Sequence, residues 1–375
     1  MPTLMITGCG GSVGHDMIHY LSVMPGVGNL VGVDVNEEAG RGTVKEALLS
    51  ANFLGLHPNI SFRKINLFDA DSTAEILREV KPDVICHTAS LGSWWITRLL
   101  PSDMYKKISP LGPWLPNHLA LTLQLMQAVK KAGIKTQVVN GCFPDVSNVA
   151  LGKLGLAPIC GGGNMDHGCN HIRYVISKEM KVPTSNVFVY GVGHHGAFYT
   201  AKMSEPFYVK IIVGGTDMTD KFSHDKLRQM LQAEGFLDRP QLKGPLIEQF
   251  KTAASFLRNT LDVYFNTNQI RMSVPGPNGL PGAYPCRLGG SGAEVVLPDE
   301  LTLKDAIEIN EKGARYDGIE RVKDDGTVVF LDENVENMKT VLGYNCKELR
   351  VSELQERASE LNRKLNECYD KFRSK

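Results

Sequence analysis

The chain has 375 residues, enough for two domains at ~150 residues each and a smaller third piece. Hydrophobic residues make up 42% and charged residues 22%, which excludes a disordered or fibrous chain and allows a sizeable core. Lys plus Arg and Asp plus Glu number 41 each, so the balance offers no electrostatic reason to coat nucleic acid or an anionic membrane. No apolar run reaches the ~18 residues of a membrane span. The N-terminus has no basic region or cleavage site of a secretory signal, so a cytoplasmic protein is expected. Eight dispersed cysteines without a Cys-x-x-Cys pair read as reduced thiols, with no metal site.

Taken in order, the chain first alternates strands and helices. Strands are expected at Leu4–Thr7, Leu30–Val35, Ile60–Ile65, Asp83–His87 and Thr136–Asn140. Helices are expected between them at Val13–Leu21, Ala39–Leu49, Asp71–Val80 and Leu119–Ala132. Near-continuous apolar strands separated by helices imply a parallel sheet covered on both faces. After Asn140 the texture changes: Gly, Asn and His crowd between residues 141 and 196 around a helix expected at His171–Met180. A strand at Tyr208–Val213 and a helix at Ile247–Thr260 follow, then a Gly/Pro-rich stretch over Pro275–Gly292. Asp325-Gly326 between β-prone runs suggests a hairpin. The tail repeats Val351, Leu354, Ala358, Leu361, Leu365, Cys368 and Phe372 at three- and four-residue spacing. That stripe predicts a terminal helix lying on the body of its own chain, in preference to an intersubunit coil.

The strongest local motif is Thr7-Gly8-Cys9-Gly10-Gly11-Ser12-Val13-Gly14, between a strand and a helix. Gly8 suits a tight turn, Gly10 or Gly11 the approach of a pyrophosphate, and Gly14 close helix packing. The helix N-terminus offers unpaired N–H groups to the phosphates. Asp34 ends the next strand about 20 residues on, as the dinucleotide fingerprint requires. A carboxylate there accepts ribose hydroxyls and disfavours the extra phosphate of NADP, so NAD is the expected cofactor. Gly8, Gly10, Gly11, Ser12, Val13, Gly14, Asp34 and Thr88 form the expected cofactor group. The fold class is α/β: a Rossmann-type doubly wound parallel sheet, then a mixed α/β substrate domain and a C-terminal helix. The divisions fall at 1–145, 146–350 and 351–375.

Further along stand Asn140, Gly163-Asn164-Met165-Asp166, Ile172-Arg173-Tyr174 and Gly193-His194-His195-Gly196. Here the sequence resembles the lactate/malate dehydrogenase superfamily, in VVNGCFPDVSNVALGKLG, in GGGNMDHGCNHIRYVISKEMKVPTSNVFVYGVGHHGAFY and in MSVPGPNGLPGAYPCRLGGSGAEVVLPDELT. The resemblance is patchy and reaches to about residue 310. It implies a homodimer or homotetramer acting on a small-molecule substrate. It also implies hydride transfer between nicotinamide and a secondary alcohol or ketone. His195 is the implied acid/base, oriented by Asp166, and Asn140 holds the nicotinamide amide or substrate oxygen. Arg98, in the loop Ser90–Arg98, is placed to polarise the carbonyl, with Trp94 and Trp95 as a lid. His194 competes with His195 for the role of base. The family's substrate-clamping Arg falls at Cys169, so Arg173 is the replacement considered, and a larger or less acidic substrate than malate is implied.

Three other readings stand beside this one. Tyr174 and Lys178 have the Tyr-x-x-x-Lys spacing of the extended short-chain dehydrogenases and epimerases. Cys169-Asn170 with a later His echoes the NAD- and metal-requiring glycosidases. A non-catalytic NAD-binding sensor is the third, since fold does not fix function.

Overall fold

The computed structural model describes residues 2–203, 207–238, 242–243 and 249–373. The first half builds one parallel sheet from β1 (Thr3–Thr7), β2 (Asn29–Asp34), β3 (Asn59–Lys64), β4 (Val84–His87), β5 (Gln137–Asn140) and β6 (Cys160–Gly161). Their order is β3-β2-β1-β4-β5-β6, so the chain reverses its direction of travel across the sheet between β1 and β4. Ligand crevices of doubly wound sheets open at that point, beyond the carboxyl ends of the strands. β1 and β4 are buried along their whole length, which is why both read as unbroken apolar runs.

Helices α1 (Ser12–Ser22), α2 (Glu37–Phe53) and α3 (Ala70–Val80) are the crossovers expected from sequence, within a few residues at each end. Asn36 and Asp69 cap α2 and α3 through their side chains. A short α4 (Ser102–Ile108) precedes α5 (Leu115–Ala132), and α6 (Pro144–Lys153) leads into β6. Next comes α7 (Met165–Met180), which begins six residues before the periodicity suggested.

An antiparallel sheet of β7 (Val187–Val192), β8 (Tyr208–Val213) and β9 (Thr216–Asp217) packs on α7, with α8 (His224–Ala233) beyond it. The helix expected from Ile247 runs as α9 (Phe250–Tyr264), and Ile247 itself lies outside the described residues. β10 (Gln269–Pro275) leads into the Gly/Pro-rich stretch, which holds β11 (Ala283–Gly289) and ends where β12 (Gly292–Val295) begins. After α10 (Leu303–Ala314), β13 (Ile319–Val322) turns at Asp325-Gly326 into β14 (Val328–Phe330). α11 (Asp332–Leu342), β15 (Glu348–Leu349) and α12 (Leu354–Arg373) close the chain.

The parallel sheet has a core on each face. One core joins α5 to the C-terminal strands and α12; the other joins α1, α9 and β10–β12. In α12, Leu354, Ala358, Leu361, Leu365 and Cys368 are buried, so the terminal helix lies on its own body as its stripe predicted; the side chain of Phe372 is outside the described set. Asn362 on α12 donates to the Leu91 carbonyl at 3.2 Å, and the Tyr369 hydroxyl donates to the Ile96 carbonyl. All eight cysteines are free and buried. Among the described residues, no helix is long and apolar enough to cross a membrane.

Candidate active site

A cavity of about 1050 Å³ opens at the β1/β4 crevice. One end is built by the loop between β1 and α1. Gly8 takes φ +76°, and its N–H and that of Cys9 donate to the Val33 carbonyl at 2.8 and 3.2 Å, fixing the turn to the end of β2. A Cβ on Gly14 would lie 2.2 Å from the Gly8 carbonyl oxygen, so only glycine lets α1 seat on the loop. Gly11 starts the helix without a side-chain cap, and the first turn holds no acidic residue. The helix therefore presents uncapped N–H groups to the cavity. Asp34 accepts from Gly10 N–H at 2.9 Å with one oxygen and from Asn36 N–H at 2.9 Å with the other. Thr88 donates from its hydroxyl to the Thr7 carbonyl at 2.7 Å. Gly8, Gly10, Gly11, Ser12, Val13, Gly14, Asp34 and Thr88 all line this end of the cavity.

The other end is walled by aromatic and basic side chains. Trp94, Trp95 and Arg98 come from the loop after β4, and the Arg98 guanidinium lies over the Trp94 ring at 5.9 Å. His118 of α5 and Phe143 add a second wall, and burial lowers the His118 imidazole to about 4. His171 of α7 stacks on Phe236 at 4.1 Å, with the planes 3° apart. Phe143 and Asn164 line the cavity with φ of +49° and +50°, an uncommon backbone state for residues with a side chain.

His195 lies between these ends, just after β7. It is 5% exposed and lines the cavity. Its Nδ1 lies 2.7 Å from Asp317 Oδ2, and its backbone N–H donates to Asp145 Oδ1 at 3.3 Å. With the Nδ1 proton donated to a carboxylate, Nε2 carries the lone pair. Thr200 donates to the other Asp317 oxygen at 3.0 Å. Burial pushes the Asp317 carboxyl up, but His195, then His194 and Thr200, outweigh it and hold it below the usual carboxylate range. Asp145 is raised to about 8, by burial first and by the Asp317 charge second.

The chain reaches this geometry through a π-helical turn at Gly196–Thr200. A Cβ on Gly196 would stand 2.7 Å from the Asp317 backbone nitrogen, so this glycine admits the 317 turn against the histidines. His194 is fully buried and does not line the cavity. Its Nδ1 accepts from Gly196 N–H at 3.1 Å, and burial lowers it to about 4 despite Asp317. Of the two adjacent histidines, only His195 reaches the cavity.

Several expected placements are corrected. Asp166 does not meet His195. It accepts from the Ser255 hydroxyl and from Arg258 Nη2 at 2.7 Å, tying the start of α7 to α9. The cause is the first turn of α7, which points Asp166 toward α9 and leaves the far side of His195 to Asp317. Asn140 is fully buried and away from the cavity wall. Its oxygen accepts from Cys142 N–H at 2.8 Å, and its amide donates to Ser147 and Asn148 at 2.9 Å each. It shapes the turn that presents Phe143. Arg173 is not on the cavity wall and donates to the Thr184 carbonyl at 2.6 Å, since it stands two residues past the cavity-lining His171, about 200° round α7. Tyr174 is exposed and Lys178 pairs with Glu234 at 2.5 Å, so neither reaches the cavity. Cys169 is buried in the core while Asn170 is exposed, so the Cys-Asn echo gathers no ligands. Asp317, Thr200 and Asp145 carried no local sequence signal: only the fold brings residue 317 beside residue 195.

A family model described as "NAD dependent epimerase/dehydratase family" matches residues 4–142. No curated protein matches. Among solved structures, the chain is similar to the malate dehydrogenase of Plasmodium falciparum solved with NADH, at 17% identity and TM-score 0.56, covering 84% of this chain and 96% of that one. It is also similar to the lactate dehydrogenase of Eimeria maxima solved with NADH and oxamate, at 16% identity and TM-score 0.58, covering 84% and 91%. The malate dehydrogenase of Aeropyrum pernix matches at 18% identity and TM-score 0.57, covering 83% and 95%. The chain therefore has the fold of the malate and lactate dehydrogenases, with its glycine loop and strands β2 to β5 in the segment that the family model matches.

Proposed function

We propose that the chain is an NAD-dependent oxidoreductase, moving hydride between a nicotinamide dinucleotide and a secondary alcohol or ketone of hydroxy-acid or larger polar type. The observation that carries this reading is one continuous cavity whose walls hold the glycine loop and Asp34 at one end and His195 beyond them. The donor set fits a dinucleotide: an uncapped helix start, an open Gly11 and a fixed carboxylate at the end of β2. Gly8 to Gly14 would hold the pyrophosphate, Asp34 the ribose hydroxyls, and Thr88 the stretch leading to the ring. A nicotinamide held there supplies the hydride acceptor. His195 Nε2 takes the substrate hydroxyl proton, and Asp317 fixes the tautomer and steadies the imidazolium that forms. Arg98 polarises the substrate oxygen, and Trp94 and Trp95 exclude water. The malate and lactate dehydrogenase structures favour this reading.

The test is cofactor binding and turnover on a panel of hydroxy acids, polyols and amino-acid conjugates. His195→Ala should lower turnover by about 10² to 10⁴ while NADH affinity stays within a few-fold. Normal turnover in that variant refutes the assignment. NADH binding without turnover on any alcohol leaves the sensor reading standing instead. The family match over 4–142 favours a second reading, in which hydride is removed and returned within one turnover, as in an epimerase. Tyr174 and Lys178 lie off the cavity, so His195 would serve there too. Net accumulation of NADH separates the two readings.

A further inference from the structure

We propose that His15, His19 and Glu46 form a binding site for one divalent transition-metal ion, zinc being the ion that suits these donors. The site lies outside the catalytic cavity and does not depend on the proposed redox function. His15 and His19 stand one turn apart on α1, so their rings share a face, with centroids 4.3 Å apart. Glu46 reaches across from α2. One ligand atom from each of the three lies within 4.8 Å of the others, and Glu46 Oε2 is 3.7 Å from His15 Nε2. A tetrahedral ion with bonds of ~2.0–2.1 Å holds its ligands roughly 3.3 Å apart, so side-chain rotation alone closes the set. Two imidazoles and a carboxylate with a fourth, solvent-facing position form a recurrent zinc donor set.

Two further features point to a ligand rather than an ordinary surface ion pair. His15 Nδ1 lies 3.2 Å from Asp16 Oδ1, and Asp16 is buried. A metal-ligating histidine commonly donates its second nitrogen to a carboxylate in this manner, which turns the other nitrogen outward as a lone pair. His19 Nε2 is buried and has no hydrogen-bond partner. An ion pair of His15 with Asp16 and Glu46 would leave that nitrogen unsatisfied, whereas a shared cation satisfies it. The other oxygen of Asp16 accepts from Gln249 N–H at 2.6 Å, and Gln249 lines the catalytic cavity. One carboxylate thus separates the metal site from the cavity wall. A bound ion would clamp α1 to α2, the two helices that start beside the expected nucleotide end.

The experiment is calorimetric titration of the chelator-treated full chain with zinc chloride, with cobalt(II) absorption as a reporter of tetrahedral coordination. One ion per chain is expected. His15→Ala and His19→Ala should each weaken binding about 100-fold, and Glu46→Gln about 10-fold, with unchanged melting in the absence of metal. His167 and His171 also stand one turn apart on α7, so the His15→Ala/His19→Ala double variant is decisive: full zinc affinity there overturns the proposal. Absence of any zinc binding to the unaltered chain overturns it as well. If a histidine variant fails to fold, Glu46→Gln carries the test, because Glu46 is exposed and its loss costs little packing. Unchanged affinity in that variant refutes the site.

Discussion

At the level of single residues, His195 depends on a carboxylate that no local pattern announces. Asp317 is buried, accepts from His195 and Thr200, and is held in its ionised form by them. Asp317→Asn should keep the shape while freeing the imidazole tautomer, so turnover should fall by a factor approaching that of His195→Ala. Asp166→Asn should act differently. It weakens the anchor between α7 and α9, which lowers the melting temperature, and leaves the pH dependence of turnover unchanged. Measuring melting and pH–rate profiles for both variants separates a group beside the reacting atoms from a structural anchor. The glycine loop and Asp34 were legible because turn, helix start and strand end are local and fall at fixed spacing. The carboxylate partner was not, since a contact across 122 residues of sequence leaves no periodic trace.

Among the elements, the crossovers α1 to α3 followed from hydrophobic period and caps, since each helix answers to one face of one sheet. The start of α7 did not. Met165 to Asn170 mixes Gly, Asn, His and Cys, which have modest helix propensity, and tertiary contacts from Asp166 to Ser255 and Arg258 hold that turn helical. The two close glycines can be tested by adding one methyl group. Gly14→Ala drives a Cβ into the Gly8 carbonyl and should abolish dinucleotide binding, read by NADH fluorescence, in a chain that still folds. Gly196→Ala pushes the 317 turn away from the histidines. It should cost turnover while leaving NADH affinity near that of the unaltered protein, which a KM-against-kcat comparison would show.

Across the whole molecule, buried histidines set the response to acid. His194, His118 and His171 are each lowered to about 4, with burial the leading cause. Between their ordinary value near 6.5 and about 4, the unfolded chain binds protons that the folded chain excludes. Stability contributed by these groups is therefore full above pH 6.5 and falls as the pH drops toward 4. Asp145 acts in the opposite sense: raised to about 8, it keeps a proton in the folded state that the unfolded chain releases above its ordinary range, so its contribution falls as pH rises toward 8. The melting temperature should accordingly decline from pH 6.5 toward pH 4.5 and again, less steeply, toward pH 8. A flat profile over that span would contradict these burial-driven shifts. In α12, Leu361→Ala should cost about 2–5 kcal/mol, because the residue is fully buried in the core beside α5.

The distance along the chain between His195 and Asp317 has a consequence during synthesis. Every residue of the glycine loop leaves the ribosome before the imidazole does, whereas the anion behind the imidazole emerges some 120 residues after the ring itself. A nascent or truncated polypeptide ending before residue 317 holds the whole glycine loop with its partner Asp34, yet lacks the carboxylate that meets His195. On the proposed mechanism, proton transfer at His195 therefore waits until residue 317 has been made.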